Sequence, residues 1–358
     1  MDQEIRPYSL RVRTFPTTPC PYRANAQWAL KCRPAEKFFH NFVPITWFET
    51  RLLSLRYDPI FAFRISKFFL RHPRITSRLF VSQQAMYEAI DRFLVTEYKS
   101  NDSKVRETFG FKIFLNPQDE GVSPRISYHG WYEGGTTRLF ERLLKPGMRF
   151  VDVGANIGWF SLLAAKLVGN SGAVYAFEPE VTCARFLRKS AQENGFANLQ
   201  IEQLCVSNSV GSITLYVAVA SHGGNSTIRR SESQSYQFSR PQDCTSLDAY
   251  FEKSQKSISL LKIDVEGAEP EVLEGAQRLV VSELVERIIM EWNPDSWIEK
   301  RDLLNSLFQK YRVYVVANTV PFPLLRPISN KQIEWRAGGV LYFEAIGTKY
   351  MKPAESLR

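Results

Sequence analysis

Three acidic side chains stand where short apolar stretches of the chain end. Asp152, Glu178 and Asp264 each lie in or directly after such a stretch. Carboxylates in these places accept hydrogen bonds from ligand hydroxyl and ammonium groups, take protons during catalysis, or ligate hard cations such as Mg²⁺. The sequence therefore predicts a site that combines recognition of a polar ligand with acid–base or metal chemistry.

A glycine turn follows the first apolar stretch. Gly154, Asn156 and Gly158 alternate along it, and both residue types tolerate left-handed backbone, so the chain can turn sharply into a helix. A helix N-terminus behind such a turn suits a ligand with a carboxylate or phosphate. Asp152 suits a ligand ammonium group, and Glu178 stands about 20 residues after the glycines, where βαβ nucleotide-binding units bind ribose hydroxyls.

Two cofactor classes use this geometry. Nicotinamide dinucleotides need a third glycine for the pyrophosphate, but Trp159 and Phe160 follow Gly158 here. S-adenosylmethionine has no phosphate and carries a zwitterionic methionine end, so the residues favour it. A nicotinamide-dependent oxidoreductase stays as one alternative. A non-catalytic binding protein on the same fold is another, which the carboxylates predicted around one crevice disfavour.

Predicted strands and helices alternate from residue 149 onward. The strands are 149–153, 173–177, 199–206, 212–219, 258–263, 287–292, 312–317 and 340–346, and the helices are 157–168, 181–194, 270–280 and 296–309. Alternation of this kind predicts an α/β fold with a mostly parallel sheet between two helical layers. Ligands bind at the carboxyl ends of such strands, so we expect Gly154, Glu178, Ser207, Asp264 and Glu291 around one crevice.

The second dense motif, L-L-K-I-D-V-E-G-A-E, begins at Leu260. Together with V-D-V-G-A-N-I-G-W-F-S and F-E-P-E, it resembles the FkbM family of S-adenosylmethionine-dependent methyltransferases over about residues 109–347. The resemblance implies a Rossmann-like, seven-stranded sheet whose last strand runs antiparallel. It also implies methyl transfer, usually to a hydroxyl oxygen of a sugar, glycolipid or natural-product acceptor.

The resemblance also implies roles for individual residues. The methionine end of the cofactor is assigned to Asp152, Gly154, Asn156 and Gly158, and the ribose hydroxyls to Glu178. Ser207 is expected to border the adenine, Asp264 to lie near the sulfonium and the acceptor, and Glu133 to reach the cofactor from the preceding segment.

A hydroxyl acceptor must lose its proton during methyl transfer. The candidate catalytic bases are Asp264, Glu266 and His222, of which the histidine lies in a glycine-rich loop. The alternative is a divalent cation such as Mg²⁺ that lowers the hydroxyl pKa, with Asp264, Glu291 and Asn293 as candidate ligands.

Bulk composition places the chain among globular proteins. It has 358 residues, 44% of them hydrophobic and 23% charged. The five cysteines are scattered and odd in number, which favours reduced thiols over disulfides or a zinc site. No apolar run reaches membrane-spanning length and no signal-peptide pattern begins the chain, so we expect a cytoplasmic protein.

The net charge of +9 is uneven along the sequence. Residues 1–100 are rich in Arg and Lys and are predicted to form a helical extension or cap, whereas the resemblance implies that residues 101–358 form a methyltransferase domain. Aromatic residues at helical spacing over 38–98 suit either a packed cap or peripheral contact with an anionic membrane. No nucleic-acid module is recognisable, so no nucleic-acid partner is expected. The oligomeric state stays open.

Overall fold

The computed structural model describes residues 94–102, 104–218, 226–230, 236–317, 324–333 and 338–347. All of these belong to one unit of the chain, Tyr87–Arg358. His222 and nearly all of the basic N-terminal segment, including the predicted membrane-facing residues 38–93, lie outside the described residues. Among the described residues, no helix is long and apolar enough to cross a membrane.

The described elements follow the predicted alternation. In chain order the strands are β1 (Val105–Thr108), β2 (Phe111–Phe114), β3 (Arg149–Val153), β4 (Ala173–Phe177), β5 (Leu199–Glu202), β6 (Cys205–Val206), β7 (Gly211–Ala218), β8 (Ser226–Thr227), β9 (Tyr236–Thr245), β10 (Leu260–Ile263), β11 (Arg287–Trp292), β12 (Tyr311–Ala317), β13 (Leu324–Pro327) and β14 (Gly339–Ala345). The helices are α1 (Val122–His129), α2 (Gly134–Leu143), α3 (Trp159–Val168), α4 (Val181–Glu193), α5 (Leu247–Tyr250), α6 (Glu269–Glu274), α7 (Gln277–Val281), α8 (Arg301–Lys310) and α9 (Asn330–Ile333), with a 3₁₀ helix at Pro294–Trp297. Residues 94–100 are also helical.

The main sheet has the strand order β13-β12-β14-β11-β10-β3-β4-β5. Strands β3, β4, β5, β10 and β11 run parallel, whereas β14 is antiparallel to both β11 and β12. The expected Rossmann-like sheet with an antiparallel last strand is therefore confirmed. Within the described residues it has eight strands rather than seven, because β13 pairs antiparallel with β12 at the edge.

The strand order reverses between β3 and β10. The chain runs outward from β3 to β4 and β5 on one side, and later adds β10 and β11 on the other. In open α/β sheets the ligand crevice lies at the carboxyl ends of the strands at this reversal. The topology therefore predicts a ligand crevice at the carboxyl ends of β3 and β10, before any side chain is considered.

Alternate residues of the central strands enter two different cores. Phe150, Ala176 and Leu260 pack with α3 on one face of the sheet, and Val151 and Ile263 pack on the other. Both faces are buried, which explains why these strands are apolar at nearly every position. A charged residue inside one of them therefore stands out as a departure from the local pattern.

A smaller sheet with the order β6-β9-β7-β8 flanks the main sheet. The side chain of Arg240 on β9 donates to the carbonyl of Pro179 at 2.9 Å, directly after Glu178. Gln242, also on β9, donates to the carbonyl of Gln203 at 2.9 Å. These bonds attach the smaller sheet to the crevice edge of the main sheet.

Two predicted elements are each divided in the structure. The strand expected over 199–206 ends at Glu202 and resumes as β6 in the smaller sheet. The helix expected over 270–280 separates into α6 and α7 around Gly275, where a Cβ atom would lie 2.0 Å from the Ser207 carbonyl oxygen. In both places the chain departs from the local pattern to accommodate the smaller sheet.

Candidate active site

The glycine turn after β3 packs against the strand end that carries Asp264. Gly154 has φ +82°, and a Cβ atom added there would lie 1.8 Å from the carbonyl oxygen of Asp264. The backbone N–H of Asp264 donates to the Val153 carbonyl at 3.0 Å. Glycine is required at position 154 both by its left-handed conformation and by this close approach. The turn thus brings the two sequence motifs into direct contact.

The same turn continues through two further left-handed residues into α3. Asn156 has φ +53° and Gly158 has φ +94°. The side-chain oxygen of Asn156 accepts the N–H of Ile157 at 2.7 Å, a local bond that helps asparagine adopt this conformation. A Cβ atom at Gly158 would lie 2.1 Å from the Leu187 side chain, so glycine also allows α3 to approach α4.

Glu178 holds this turn from the adjacent strand end. Its buried carboxylate accepts the N–H of Asn156 at 2.7 Å with one oxygen and the N–H of Glu180 at 2.8 Å with the other. Burial raises the pKa of Glu178 to about 8, although both backbone bonds act to lower it. Each carboxylate oxygen accepts more than one hydrogen bond, so Glu178 retains the capacity to bind ligand hydroxyls.

Asp152 is fully buried and faces groups of the protein itself. One oxygen accepts the Ser161 hydroxyl at 2.6 Å, and the other lies 3.8 Å from the ammonium nitrogen of Lys262 without forming a hydrogen bond. Burial raises the pKa of Asp152, while the charge of Lys262 opposes that rise. The predicted contact between Asp152 and a ligand ammonium stays a prediction, and the structure supplies an ammonium group from within the chain.

Lys262 connects Asp152 with Asp264. Its ammonium donates to Asp264 at 2.9 Å and lies 5.2 Å from the centre of the Phe160 ring. Burial alone would lower the pKa of Lys262, but the charges of Asp264 and Asp152 raise it, so the side chain stays charged. A lysine inside an otherwise apolar strand is a visible departure in the sequence, although no role was predicted for Lys262.

The turn after β10 also contains left-handed backbone, which is energetically unfavourable for a residue other than glycine. Glu266 has φ +58° and Gly267 has φ +99°. One carboxylate oxygen of Glu269 accepts the N–H groups of Val265 and Gly267 at 3.2 and 3.0 Å. Glu269 therefore acts as the internal support of this turn, which holds a non-glycine residue in a left-handed conformation.

A carboxyl cluster forms at the ends of β10 and β11. Asp264, Glu266 and Glu291 are all half-buried and each offers an oxygen within 4.8 Å of the others. Burial and the neighbouring acidic groups raise the pKa of Glu266 to about 8 and that of Glu291 to about 9. Glu266 and Glu291 therefore favour their protonated forms at neutral pH, and a group of three carboxyls so close together suits either proton transfer or cation binding.

The segment before α2 approaches the same cluster. Tyr132 has a raised pKa because it is buried and lies near the charges of Glu133 and Asp264. Glu133 itself has φ +42° and contributes to the raised pKa of Lys262. The structure thus places Glu133 within electrostatic range of the crevice, while its contact with a cofactor stays a prediction.

Two other predicted site residues have partners within the protein. Asn293 is exposed and caps the 3₁₀ helix by accepting the N–H of Asp295 at 3.2 Å. Its role as a metal ligand stays a prediction. Ser207 is buried after β6, where its N–H donates to the Thr245 carbonyl at 2.9 Å. Its place beside the adenine stays a prediction.

A contact of the smaller sheet was also missed by the sequence analysis. Arg229, which follows β8, pairs with Glu271 on α6 at 3.0 Å and donates to the Ser296 carbonyl at 3.2 Å. These partners lie near Gly267, whose added Cβ would come within 3.3 Å of the Ser296 hydroxyl. Arg229 thus ties the smaller sheet to the elements around the carboxyl cluster, a long-range contact that no local pattern indicates.

Comparison with known proteins gives one family match and several partial likenesses. Residues 152–316 match the family model described as the methyltransferase FkbM domain. Over 83 residues the chain is 37% identical to ribosomal RNA large subunit methyltransferase E of Acinetobacter baylyi, a stretch that covers 22% of this chain and 34% of that protein. The chain spans about a third of the length of the curated relatives it matches.

Solved structures show likeness at low sequence identity. An rRNA methylase from Streptococcus thermophilus is 12% identical, with 59% of this chain and 94% of that chain covered and a TM-score of 0.33. A SAM-dependent methyltransferase from Aquifex aeolicus is 12% identical, with 62% and 91% covered and a TM-score of 0.32.

Proposed function

Residues 152–316 form a methyltransferase domain of the FkbM family, and from this premise we propose that the protein is an S-adenosylmethionine-dependent methyltransferase that acts on a hydroxyl oxygen. The proposal rests on the direct contact between the two sequence motifs. The glycine turn at Gly154, held by Glu178, abuts the backbone of Asp264. A cofactor seated on the turn therefore has its reactive end beside the carboxyl cluster.

The glycine turn and Glu178 suit the two ends of this cofactor. The turn leads into the N-terminus of α3, which favours a carboxylate such as that of the methionine end. The Glu178 carboxylate, fixed by two backbone N–H groups, is placed to accept the ribose hydroxyls. Trp159 and Phe160 fill the position where a dinucleotide needs a glycine, which favours S-adenosylmethionine over NAD.

Methyl transfer needs an aligned acceptor and a place for its proton. The acceptor oxygen forms a bond to the methyl carbon as the carbon–sulfur bond breaks, and the bonding electrons neutralise the sulfonium. The hydroxyl proton passes to a carboxylate, for which we assign Asp264 with Glu266 as its neighbour in the cluster. Alignment of oxygen, carbon and sulfur supplies much of the remaining acceleration. His222, the third candidate base, lies outside the described residues.

We assign the acceptor to a sugar, a glycolipid or a natural product. The acceptor side of the crevice carries Glu133, Asp264, Glu266 and Glu291, and carboxyl groups accept hydrogen bonds from hydroxyls in either protonation state. An RNA acceptor is the second candidate, because the partial match to an rRNA methyltransferase favours it. A net charge of +9 is also compatible with a polyanion.

A divalent cation such as Mg²⁺ is a separate proposal. The oxygen ligands of Asp264, Glu266 and Glu291 are of the type and spacing that Mg²⁺ accepts. When bound, the cation would lower the pKa of the acceptor hydroxyl. The ammonium of Lys262 pairs with Asp264 in the cluster. A positive charge from within the chain therefore already lies where a bound cation would act.

Substitution of Glu178 tests the cofactor assignment. Glu178→Gln should weaken S-adenosylhomocysteine binding by about 1.5–3 kcal/mol, roughly 10- to 150-fold in Kd, because an amide NH₂ that only donates replaces one of the two oxygens that accept hydrogen bonds. Glu193→Gln is the matched control, because Glu193 is exposed and pairs with Lys112 at 3.0 Å outside the crevice. Titration calorimetry of both variants measures the effect. Unchanged affinity in Glu178→Gln would remove the ribose assignment.

A further inference from the structure

Lys262 is a buried cation in a strand whose other residues are apolar and buried. Its side chain is 5% exposed, while Leu260, Leu261 and Ile263 of the same strand are fully buried and apolar. Taking an ammonium out of water costs several kcal/mol, and apolar replacements of buried ion pairs are often neutral or stabilising. Stability alone therefore gives no reason for a lysine at this position.

The geometry around Lys262 indicates what the residue contacts. Strand alternation places Asp152, Lys262 and Asp264 on one face of the sheet, since Lys262 is in register with Asp152 on β3 and lies two residues before Asp264. The ammonium donates to one Asp264 oxygen at 2.9 Å and lies 3.8 Å from Asp152. Its shortest contact is with the carboxylate on the acceptor side, and the cofactor-side carboxylate is the more distant of the two.

We infer that Lys262 is the positioning residue of the transfer reaction, which orients the Asp264 carboxyl group so that its second oxygen faces the acceptor hydroxyl. This inference rests on the function proposed above. The Asp264 side chain is 30% exposed, so it reaches the crevice while Lys262 stays behind it. Lys262 keeps its own proton throughout, and the acceptor proton goes to Asp264 as the methyl group moves from sulfur to oxygen.

The alternative role is on the cofactor side. Asp152 retains one buried oxygen without a hydrogen bond, and Lys262 neutralises its charge at 3.8 Å. A residue that acted mainly through Asp152 would change cofactor affinity, whereas a residue that acts through Asp264 changes turnover. The two roles therefore differ in which kinetic constant moves.

The test compares Lys262→Met with Lys300→Met in the full chain. Met keeps the length of the side chain without its charge, and Lys300 pairs with Glu274 at 2.6 Å away from the cluster, so the control breaks a similar pair. Circular dichroism checks folding, and calorimetry measures the Kd for S-adenosylhomocysteine. The kcat is measured with the acceptor that supports methyl transfer by the unsubstituted protein in a screen of oligosaccharides, glycolipids and ribosomal RNA. We expect Lys262→Met to lower kcat by about 10- to 1,000-fold and to change the Kd by less than about 3-fold.

A double-mutant cycle with Asp264→Asn isolates the route of the effect. If Lys262 acts through Asp264, adding Lys262→Met to Asp264→Asn causes no further loss of kcat. Losses that multiply, an unchanged kcat, or a Kd that rises in step with the loss of kcat each overturn the inference. Absence of S-adenosylhomocysteine binding by the unsubstituted protein would instead overturn the proposed function, so the two failures are distinguishable.

A second variant covers the case in which Lys262→Met fails to fold. Lys262→Ala leaves a space that n-propylammonium matches in length and charge. Restoration of kcat by n-propylammonium, and none by n-propanol, supports the inference because a purely structural space would accept both. Equal restoration by the two compounds contradicts it.

Discussion

The carboxyl cluster should make the free energy of unfolding depend on pH in a direction opposite to that of ordinary ion pairs. The structure raises the pKa of Glu291 from 4.5 to about 9 because burial and the charge of Asp264 disfavour its ionised form. Between these values the folded protein holds a proton that the unfolded chain releases. The free energy of unfolding therefore falls as pH rises through this window.

The size of the effect follows from the same values. From pH 5 to pH 8, three pH units at about 1.4 kcal/mol each give an upper bound of about 4 kcal/mol for one group. Glu291 is half-buried and lies within 4.8 Å of Asp264 and Glu266, so we expect on the order of 2 kcal/mol. Glu291→Gln removes this titration and should stabilise the protein by about 1–2 kcal/mol at pH 8, with little change at pH 5.

Urea unfolding of the ligand-free protein at pH 5, 6.5 and 8 measures the effect. Glu193→Gln is the control, because its exposed carboxyl lies outside the cluster. The difference between each variant and the unsubstituted protein cancels the other titrating groups. Equal stabilisation by Glu291→Gln at all three pH values, or a loss of stability at pH 8, would refute the reasoning about the cluster.

Three other predictions concern the contact between Gly154 and Asp264, the domain boundary and the metal. Gly154→Ala should lower the unfolding free energy by more than about 2 kcal/mol and abolish cofactor binding, because its Cβ would meet the Asp264 carbonyl oxygen at 1.8 Å. Gly195→Ala, at φ +64° with no atom within 4 Å, should cost only the backbone strain, and equal losses in urea unfolding would contradict the clash. Removal of residues 1–86 should leave the Kd for S-adenosylhomocysteine unchanged while it alters acceptor use or membrane attachment. If the truncated protein folds but does not bind the cofactor, the domain boundary lies elsewhere. The cut must spare Tyr98, which is buried and donates to the Asn116 carbonyl at 2.8 Å. If Mg²⁺ occupies the cluster, EDTA should lower turnover. Added Mg²⁺ should also raise the midpoint of thermal unfolding of the unsubstituted protein but not that of Glu291→Gln. The absence of both effects in the unsubstituted protein would remove the metal proposal.

Local signals in the sequence were sufficient for the central sheet. Strands β3, β4 and β11 begin and end at the predicted residues, because continuous apolar runs between polar or glycine boundaries are characteristic of strands buried on both faces. The Gly154–Gly158 turn was predictable for a similar reason, since glycine and asparagine mark left-handed backbone. The approach of Gly154 to Asp264 was expected only as proximity around a crevice, and the atomic contact required the register of β3 with β10.

Long-range pairing was not predictable from these patterns. Strand β9 was missed because it has weak apolar alternation and is stabilised by pairing with β7. Lys262 was visible in the sequence, yet its role depends on the distances to two carboxylates on different strands.

The central claim is that the glycine turn and Glu178 bind S-adenosylmethionine beside the carboxyl cluster. Titration calorimetry of the purified full chain against S-adenosylmethionine, S-adenosylhomocysteine and NAD tests it most directly. We expect micromolar binding of the first two compounds and none of NAD. Binding of NAD alone, or of none of the three by the folded protein, would contradict the account.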